Sequence, residues 1–273
     1  MNRTRVVCAG LVAADVLYFL KDHPAPGNKH RANGAQTIAG GGALNAAAAV
    51  AALGGHALLA GVIGDDVFGG VIRQALARLN IDDALLITVP DVPSSHSAVL
   101  VTETGDRTVI NHRDDRLFAR APQAADFDAL LVDTRWRAGA ATLLPLARAA
   151  GKPAVVDAEA PFDGIADLLP SATHVAFSEQ GLTAFTGETG ASGLATAAYR
   201  LQTWVCVTRG ARPVLWHDGT QTGEVPVPQV RVKDTLGAGD VWHGAFALAL
   251  GQGRTATDAI QQATLAASRK VQY

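Results

Sequence analysis

A short stretch in the last sixth of the chain combines glycines and carboxylates in a way that suits phosphate chemistry. Residues 234–240 read DTLGAGD, and an apolar, helix-compatible run follows them. Gly237 and Gly239 leave backbone N–H groups uncovered at a helix start, where the helix dipole favours an anion. A carboxylate at Asp240 would repel phosphate there unless it takes a proton from the attacking group. A helix capped after a glycine turn explains the same residues, so the stretch alone leaves both interpretations open.

A second glycine-rich segment lies in the first fifth of the chain. Gly41 and Gly42 precede a run of small residues, with Asn45 close behind them, and the run predicts a helix from residue 46 to residue 53. Glycine before a helix permits close approach of the backbone to a ligand or to another element. Asn45 is a sugar contact, a cap or a core amide. Asp15, set among apolar residues, is a turn residue or a ligand for hydroxyl groups.

Three cationic or amide side chains could contact an anion. Arg135 follows a buried strand pattern directly, which is a ligand position, although a surface arginine is equally compatible with the sequence. Lys29 ends a proline-containing polar loop and is either solvated or an anion contact. Asn111 falls at the end of a predicted hairpin.

The elements that position these residues alternate regularly. Short apolar runs end in a glycine or a polar residue and are followed by helical patterns, which predicts a mostly parallel sheet covered by helices. Two β-type runs, 97–102 and 107–111, are separated by a turn and predict a hairpin. Together with residues 15–38 the hairpin is expected to form a small β lid over the carboxyl edge of the main sheet, where open α/β folds bind ligands.

The composition narrows the class of protein. The chain has 273 residues, of which 48% are hydrophobic, and a net charge of −2, so nucleic acid and a membrane surface are not expected as partners. The first apolar run, residues 6–10, is too short for a signal peptide or a membrane span. Cys8 and Cys206 lie far apart in apolar runs and are interpreted as buried, reduced thiols, which predicts a cytoplasmic location.

The two glycine motifs, in this order and about two hundred residues apart, resemble those of the PfkB (ribokinase-like) carbohydrate kinases over essentially the whole chain. The resemblance implies one kinase domain over residues 1–273, with lid segments near 15–38 and 97–113. Its fold would be a three-layer α/β/α sandwich with a mostly parallel central sheet and a small β lid. It also implies a further glycine-rich loop and helix beyond residue 273, so part of the adenine pocket would lie outside this sequence.

The same resemblance implies ATP and Mg²⁺ as cofactors and gives roles to matching positions. Asp240 would be the catalytic base, and the backbone amides of the Gly-Ala-Gly segment would form the anion hole. Sugar hydroxyls would be bound by Asp15, Gly41, Gly42 and Asn45. The nucleotide would contact Ser178, Glu179, Thr208, Gly210, Gly237 and Gly239, while Ala238 would belong to the anion hole alone. Many members carry Asn-x-x-Glu where this chain has Ser178 and Glu179, so the metal ligands are left unassigned.

Within the family, four stretches most resemble bacterial 6-deoxy-6-sulfofructose kinases, which implies that Lys29, Asn111 and Arg135 hold a sulfonate. The predicted reaction is phosphorylation of the 1-hydroxyl of 6-deoxy-6-sulfofructose. A ketohexokinase, a fructokinase or a kinase of a phosphosugar (fructose 6-phosphate or tagatose 6-phosphate) is the first alternative. A non-catalytic sugar- or nucleotide-binding protein is the second. The lid also offers an exposed strand edge, which predicts a homodimer.

Overall fold

The protein is described from a computed structural model that covers residues 3–272 and contains two β-sheets. The strands, in chain order, are β1 (Arg5–Ala9), β2 (Ala13–Leu20), β3 (Gly34–Gly40), β4 (His56–Gly64), β5 (Asp82–Val89), β6 (His96–Thr102), β7 (Arg107–His112), β8 (Ala129–Asp133), β9 (Ala154–Ala158), β10 (His174–Ser178), β11 (Trp204–Arg209), β12 (Arg212–His217) and β13 (Thr222–Val225). The helices are α1 (Gly42–Ala52), α2 (Val67–Leu79), α3 (Asp115–Phe118), α4 (Arg137–Ala149), α5 (Glu179–Thr186), α6 (Gly190–Leu201), α7 (Ala238–Gly251) and α8 (Ala256–Lys270), with a 3-10 helix at Ala166–Ser171.

The larger sheet has nine strands in the spatial order β13-β12-β11-β10-β9-β8-β1-β4-β5. The seven strands from β11 to β5 run parallel, whereas β12 pairs antiparallel with both of its neighbours. The chain moves from β1 through β4 to β5 on one side and then resumes at β8 on the other. The strand order therefore reverses between β1 and β8, and a crevice at their carboxyl ends is the expected ligand site of such a sheet.

Helices cover both faces of this sheet. Along β1, Val6 and Cys8 pack into one apolar cluster, while Val7 and Ala9 pack into another. The first cluster includes residues of α1, α2, α7 and α8, and the second includes residues of α3, α4, α5 and α6. Successive side chains of a strand point to opposite faces of the sheet, and each face is covered by apolar faces of helices. The protein therefore has three layers, α/β/α, as the sequence predicted.

The smaller sheet has the order β3-β2-β6-β7. The predicted hairpin is present as the antiparallel pair β6–β7, and β2 joins it by parallel pairing with β6. Residues 21–33, which connect β2 and β3, form an exposed loop without helix, in agreement with its prolines. Every residue of β7 is exposed, so this strand is a true edge.

One strand, two α-helices and the 3-10 helix were not predicted from the sequence. Strand β5 begins with two aspartates and lies at the edge of the large sheet, so its apolar pattern is diluted. Helix α6 begins in a Gly-Ala-Ser-Gly segment that is typical of a loop, and α3 has only four residues. Helix α1 starts at Gly42, one turn before the predicted position. The two cysteines are buried and unpaired, and burial raises the pKa of the Cys8 thiol to about 12. Between residues 3 and 272, no helix is long and apolar enough to cross a membrane.

Candidate active site

Asp240 lies in the first turn of α7, where the backbone amides of the helix start are uncovered. Gly237 caps this helix with φ at 70°, a left-handed conformation that glycine adopts without strain. The Oδ2 atom of Asp240 accepts a hydrogen bond from Nδ2 of Asn45 at 2.7 Å. Burial raises the pKa of the Asp240 carboxyl above its usual range, although the Asn45 bond acts in the opposite direction. The site therefore combines an anion-binding helix start with a carboxylate whose proton affinity is increased.

The glycine-rich start of α1 brings the side-chain amide of Asn45 close to the carboxylate of Asp240. Gly41 has φ at 98°, and a Cβ there would lie 2.3 Å from the carbonyl oxygen of Leu11, so only glycine fits. A Cβ at Gly42 would lie 3.6 Å from Oδ1 of Asp240. The two motifs, 195 residues apart at Asn45 and Asp240, thus meet at one point, at the carboxyl side of the large sheet.

Two cavities flank the loop that precedes α7. Asp234 and Leu236 line the first, which has a volume of about 410 Å³ and is otherwise formed by the small sheet and by Gly41. Thr235 and Ala238 line the second, which has a volume of about 250 Å³. Residues of the loop and of the first turn of α7 therefore line two separate cavities, and Asp240 lies two residues after Ala238. Two substrates could approach the helix start from opposite sides.

The first cavity contains polar groups suited to an oxidised small molecule. Asp15 projects from β2, and a Cβ at Gly40 would lie 2.8 Å from its Oδ2. Asn111 projects from β7 and accepts a hydrogen bond from Oγ of Ser97 at 2.8 Å, which leaves its amide N–H groups for a ligand. Arg113, just after β7, also lines the cavity.

Two arginines of this region, Arg113 and Arg135, lie close enough for the charge of Arg135 to affect Arg113. Burial and the nearby charge of Arg135 both lower the pKa of Arg113. Asp133 is the carboxylate that opposes this effect, but it already accepts backbone N–H groups from Leu11 at 2.7 Å and Arg135 at 2.8 Å. Nη2 of Arg135 donates to the carbonyl of Ala160 at 2.9 Å. Nη2 of Arg135 also lies 3.7 Å from Oε2 of Glu159, so Arg113 is the guanidinium group that favours an anionic ligand in the cavity.

Lys29, the third predicted anion contact, lies in the exposed loop between β2 and β3. It does not line the first cavity, and neither does Arg135. The structure therefore brings together Asp15, Gly41 and Asn111 around the cavity but leaves Lys29 apart. Gly42 and Asn45 lie beside Asp240 and are not among the lining residues of this cavity.

The predicted nucleotide contacts divide into two groups. Thr208 lies near the end of β11, and Gly210 directly follows that strand. Both residues line the second cavity. Ser178 instead caps α5, because its Oγ accepts a hydrogen bond from the N–H of Gly181 at 3.0 Å. Glu179 forms an ion pair with Arg212 and is outside the lining of the cavity.

Sequence reasoning missed four polar residues at this edge: Asp133, Asp157, Arg113 and His243. The two aspartates end or nearly end buried strands, β8 and β9, and this position could have revealed them as it revealed Arg135. Burial raises the pKa of Asp133 to about 6 and that of Asp157 well above the usual range. Nothing in the local sequence distinguished Arg113 or His243.

A three-layer α/β/α sandwich with a carboxylate at an anion-binding helix start, between two cavities, is an arrangement suited to group transfer between two substrates. The sequence profile of the pfkB family carbohydrate kinases matches residues 3–273, and the chain belongs to this family. The ribokinase of Arabidopsis thaliana is 27% identical over 302 residues, which cover 98% of this chain and 76% of that protein. The bifunctional protein HldE of Caulobacter sp. (strain K31) is 30% identical over 251 residues; the match covers 83% of this chain but only half of that protein.

Solved structures show the same fold. A candidate ribokinase from Agrobacterium tumefaciens superposes with a TM-score of 0.92 at 35% identity and covers all of this chain and 92% of that one. The ribokinase of Arabidopsis thaliana, complexed with ribose and ATP, superposes with a TM-score of 0.85 at 25% identity and covers 100% and 94% of the two chains. The fold is therefore ribokinase-like, with a mostly parallel central sheet, and the predicted family and fold are confirmed.

Proposed function

We propose that the protein is an ATP-dependent sugar kinase in which Asp240 is the general base. The observation that carries the proposal is that the segment before Asp240 lines two cavities, with Asp234 and Leu236 in the first and Thr235 and Ala238 in the second. The sugar would enter the first cavity and ATP the second, so that the acceptor hydroxyl and the transferred phosphoryl group meet at the start of α7.

In this mechanism the chain supplies positioning and charge stabilisation. The backbone amides of Gly237, Ala238 and Gly239 would donate to the oxygens of the transferred group, where the helix dipole adds to the effect. Asp240 would accept the proton of the attacking hydroxyl. Its increased proton affinity suits that task, because a base works best when its pKa approaches the working pH. The Asn45 bond would hold the carboxylate so that one oxygen faces the sugar.

Mg²⁺ would neutralise the charge on the phosphates of ATP when the nucleotide is bound. Within residues 3–272 no cluster of three or more metal-binding side chains is present. That fits an ion held largely by ATP oxygens and water, as Mg²⁺ sites in phosphate-transferring enzymes commonly are. Glu179 is the carboxylate that the sequence suggests, but its partner is Arg212, so we assign it no metal contact.

For the sugar we propose an anionic ketose, 6-deoxy-6-sulfofructose, phosphorylated at its 1-hydroxyl. The support comes from Arg113 and Asn111 in the lining of the first cavity and from Arg135 close behind them. A sulfonate has three acceptor oxygens, which the N–H groups of the Arg113 guanidinium and of the Asn111 amide would satisfy, with the charge of Arg135 adding to the attraction. We retain Lys29 only as a second contact that would require the loop between β2 and β3 to move. Fructose 6-phosphate and tagatose 6-phosphate would satisfy the same groups and remain competing substrates.

A kinase of a neutral pentose or hexose is the second candidate. It is favoured by Asp15, Gly41 and Asn45, which suit sugar hydroxyls, and by the solved ribokinase with ribose and ATP. The product distinguishes the candidates. After incubation with Mg-ATP and sulfofructose, phosphorus–proton correlation NMR should show a phosphomonoester on the 1-methylene group. Phosphorylation of ribose but not of sulfofructose would refute the proposed substrate.

We also propose that the protein forms a homodimer through the small sheet. Ile110 on β7 is 61% exposed, and this strand is an unpaired edge. Light scattering should give a dimer for the wild type and a monomer for Ile110→Glu. Tyr199→Glu, at an exposed position on α6, is the control and should leave the mass unchanged; a wild-type monomer would contradict the proposal.

A further inference from the structure

His243, one turn after Asp240 on α7, is buried and has a defined proton on one ring nitrogen. Its Nδ1 lies 2.8 Å from the carbonyl oxygen of Gly239. A carbonyl oxygen only accepts hydrogen bonds, so Nδ1 must carry the hydrogen. The side chain therefore holds the carbonyl of the second glycine of the Gly-Ala-Gly segment. The state of the other nitrogen, Nε2, follows from what faces it.

Nε2 of His243 faces a carboxylate oxygen that has no other partner. The distance from Nε2 to Oδ1 of Asp157 is 3.4 Å, and the two side chains are only 5% and 12% exposed. Within the part of the chain that the structure describes, neither atom has a hydrogen-bond partner. The backbone of Ala176, on β10, also raises the pKa of the His243 ring. A neutral ring beside an ionised carboxylate would bring lone pairs together in a buried site, which is costly.

We propose that Asp157 and His243 share one proton, so that the pair has no net charge, and that this pair fixes the Gly239 peptide and limits the negative charge next to Asp240. The second part rests on the proposed role of Asp240 as the base. Asp157 and His243 are positioning residues in this account, because neither lines either cavity.

The surroundings of Asp157 explain why a proton is needed. Burial raises its pKa most strongly, and the nearby charges of Glu159, Asp240 and Asp133 raise it further, whereas Arg135 lowers it. These groups come from the ends of β8 and β9 and from the start of α7. Without the shared proton, as many as four carboxylates would be ionised at one edge of the sheet. With the proton in the pair, Asp240 can ionise at a lower cost.

The surroundings of His243 act in the complementary direction. Burial lowers its pKa, and the Gly239 bond and the charges of Asp240 and Glu159 only partly oppose this effect. The proton is therefore favoured on Asp157, donating to Nε2, and the pair is neutral in that form as well. As the pH rises, loss of this proton places a new negative charge beside the site of phosphoryl transfer. The reaction should then slow on the alkaline side.

Two substitutions of Asp157 separate the effect of its proton from the effect of its hydrogen bond to the His243 ring. Asp157→Asn is isosteric and neutral and can still bond to the ring, so kcat should stay within about threefold of wild type and the alkaline fall should disappear. Asp157→Leu removes the partner of the buried ring, and kcat should fall by about tenfold or more. Thermal unfolding of both variants controls for misfolding. A loss of kcat in Asp157→Asn as large as that in Asp157→Leu would overturn the proposal.

Nitrogen-15 NMR of the eight histidines tests the shared proton without any substrate. The His243 signals would be assigned by their loss in His243→Asn. We expect a protonated Nδ1 and a hydrogen-bonded Nε2 in wild type and in Asp157→Asn, and a changed Nε2 shift in Asp157→Leu. An unbonded Nε2 in wild type would overturn the pair. A hydrogen-bonded Nε2 without any alkaline fall in kcat would instead refute the effect of the pair on Asp240. The two parts of the proposal can therefore fail separately.

Discussion

The substitution Asp240→Asn removes the proposed base while it preserves nearly everything else. The side chain keeps its size, and its amide oxygen can still accept the Asn45 N–H that Oδ2 accepts at 2.7 Å. We therefore expect an unchanged KM for the sugar. Loss of a general base typically lowers the rate by about 10²- to 10⁴-fold, which corresponds to roughly 3 to 5 kcal/mol of barrier. Stability should not fall, because a half-buried carboxylate close to other carboxylates is being replaced by a neutral group.

The assay is steady-state ATP turnover with saturating sugar, measured across pH. On the acidic side of the wild-type profile, activity should be lost as the pH falls through the pKa of Asp240. Because burial raises that pKa, the loss should begin at a higher pH than for an ordinary aspartate. Asp258→Asn is the control, since Asp258 is also an aspartate in the first turn of a helix, but it is exposed, lines neither cavity and accepts from Oγ1 of Thr255 at 2.8 Å; we expect less than about a tenfold loss. Equal kcat in Asp240→Asn and wild type would refute the reasoning.

Two further substitutions test the substrate cavity and the backbone beneath it. Arg113→Gln should raise KM for the sulfonated sugar by about tenfold or more, since a charge-assisted bond contributes roughly 1.5–3 kcal/mol. KM for ATP should stay unchanged. The control is Arg116→Gln, because Arg116 is exposed and pairs with Asp114; an equal effect in both variants would contradict the assignment. Gly41→Ala should lower the melting temperature far more than Gly54→Ala, because both glycines have positive φ but only Gly41 has a backbone atom, Leu11 O, 2.3 Å from the new Cβ; equal shifts would contradict this explanation.

Local signals in the sequence were sufficient for most of the fold. Helix α2, Val67–Leu79, follows from local signals, because Asp66 caps its start through the N–H of Gly69 and Asn80 ends it in a left-handed conformation. The hairpin β6–β7 and the parallel strands likewise follow from short-range patterns. The edge strand β5 and helix α6 were missed, since neither has a clean period.

The candidate site was predictable only in part, for a physical reason. Asp240 and Asn45 each belong to a local motif, but their direct bond spans 195 positions and depends on how α1 and α7 pack. Arg113 lies in the cavity while Lys29 does not, and this difference is set by the path of a loop that carries no periodic signal. Asp157 and His243 meet only because β9 and α7 lie side by side.

The proposal of an anionic acceptor is tested most directly by kcat/KM for 6-deoxy-6-sulfofructose, fructose and fructose 6-phosphate, measured side by side with Mg-ATP. A charge-assisted contact from Arg113, which lines the cavity, should favour the sulfonated sugar over fructose by about tenfold or more. Fructose 6-phosphate should fall between them, because it offers a similar anion at a different distance from the ring. Comparable kcat/KM for fructose and sulfofructose would contradict the account.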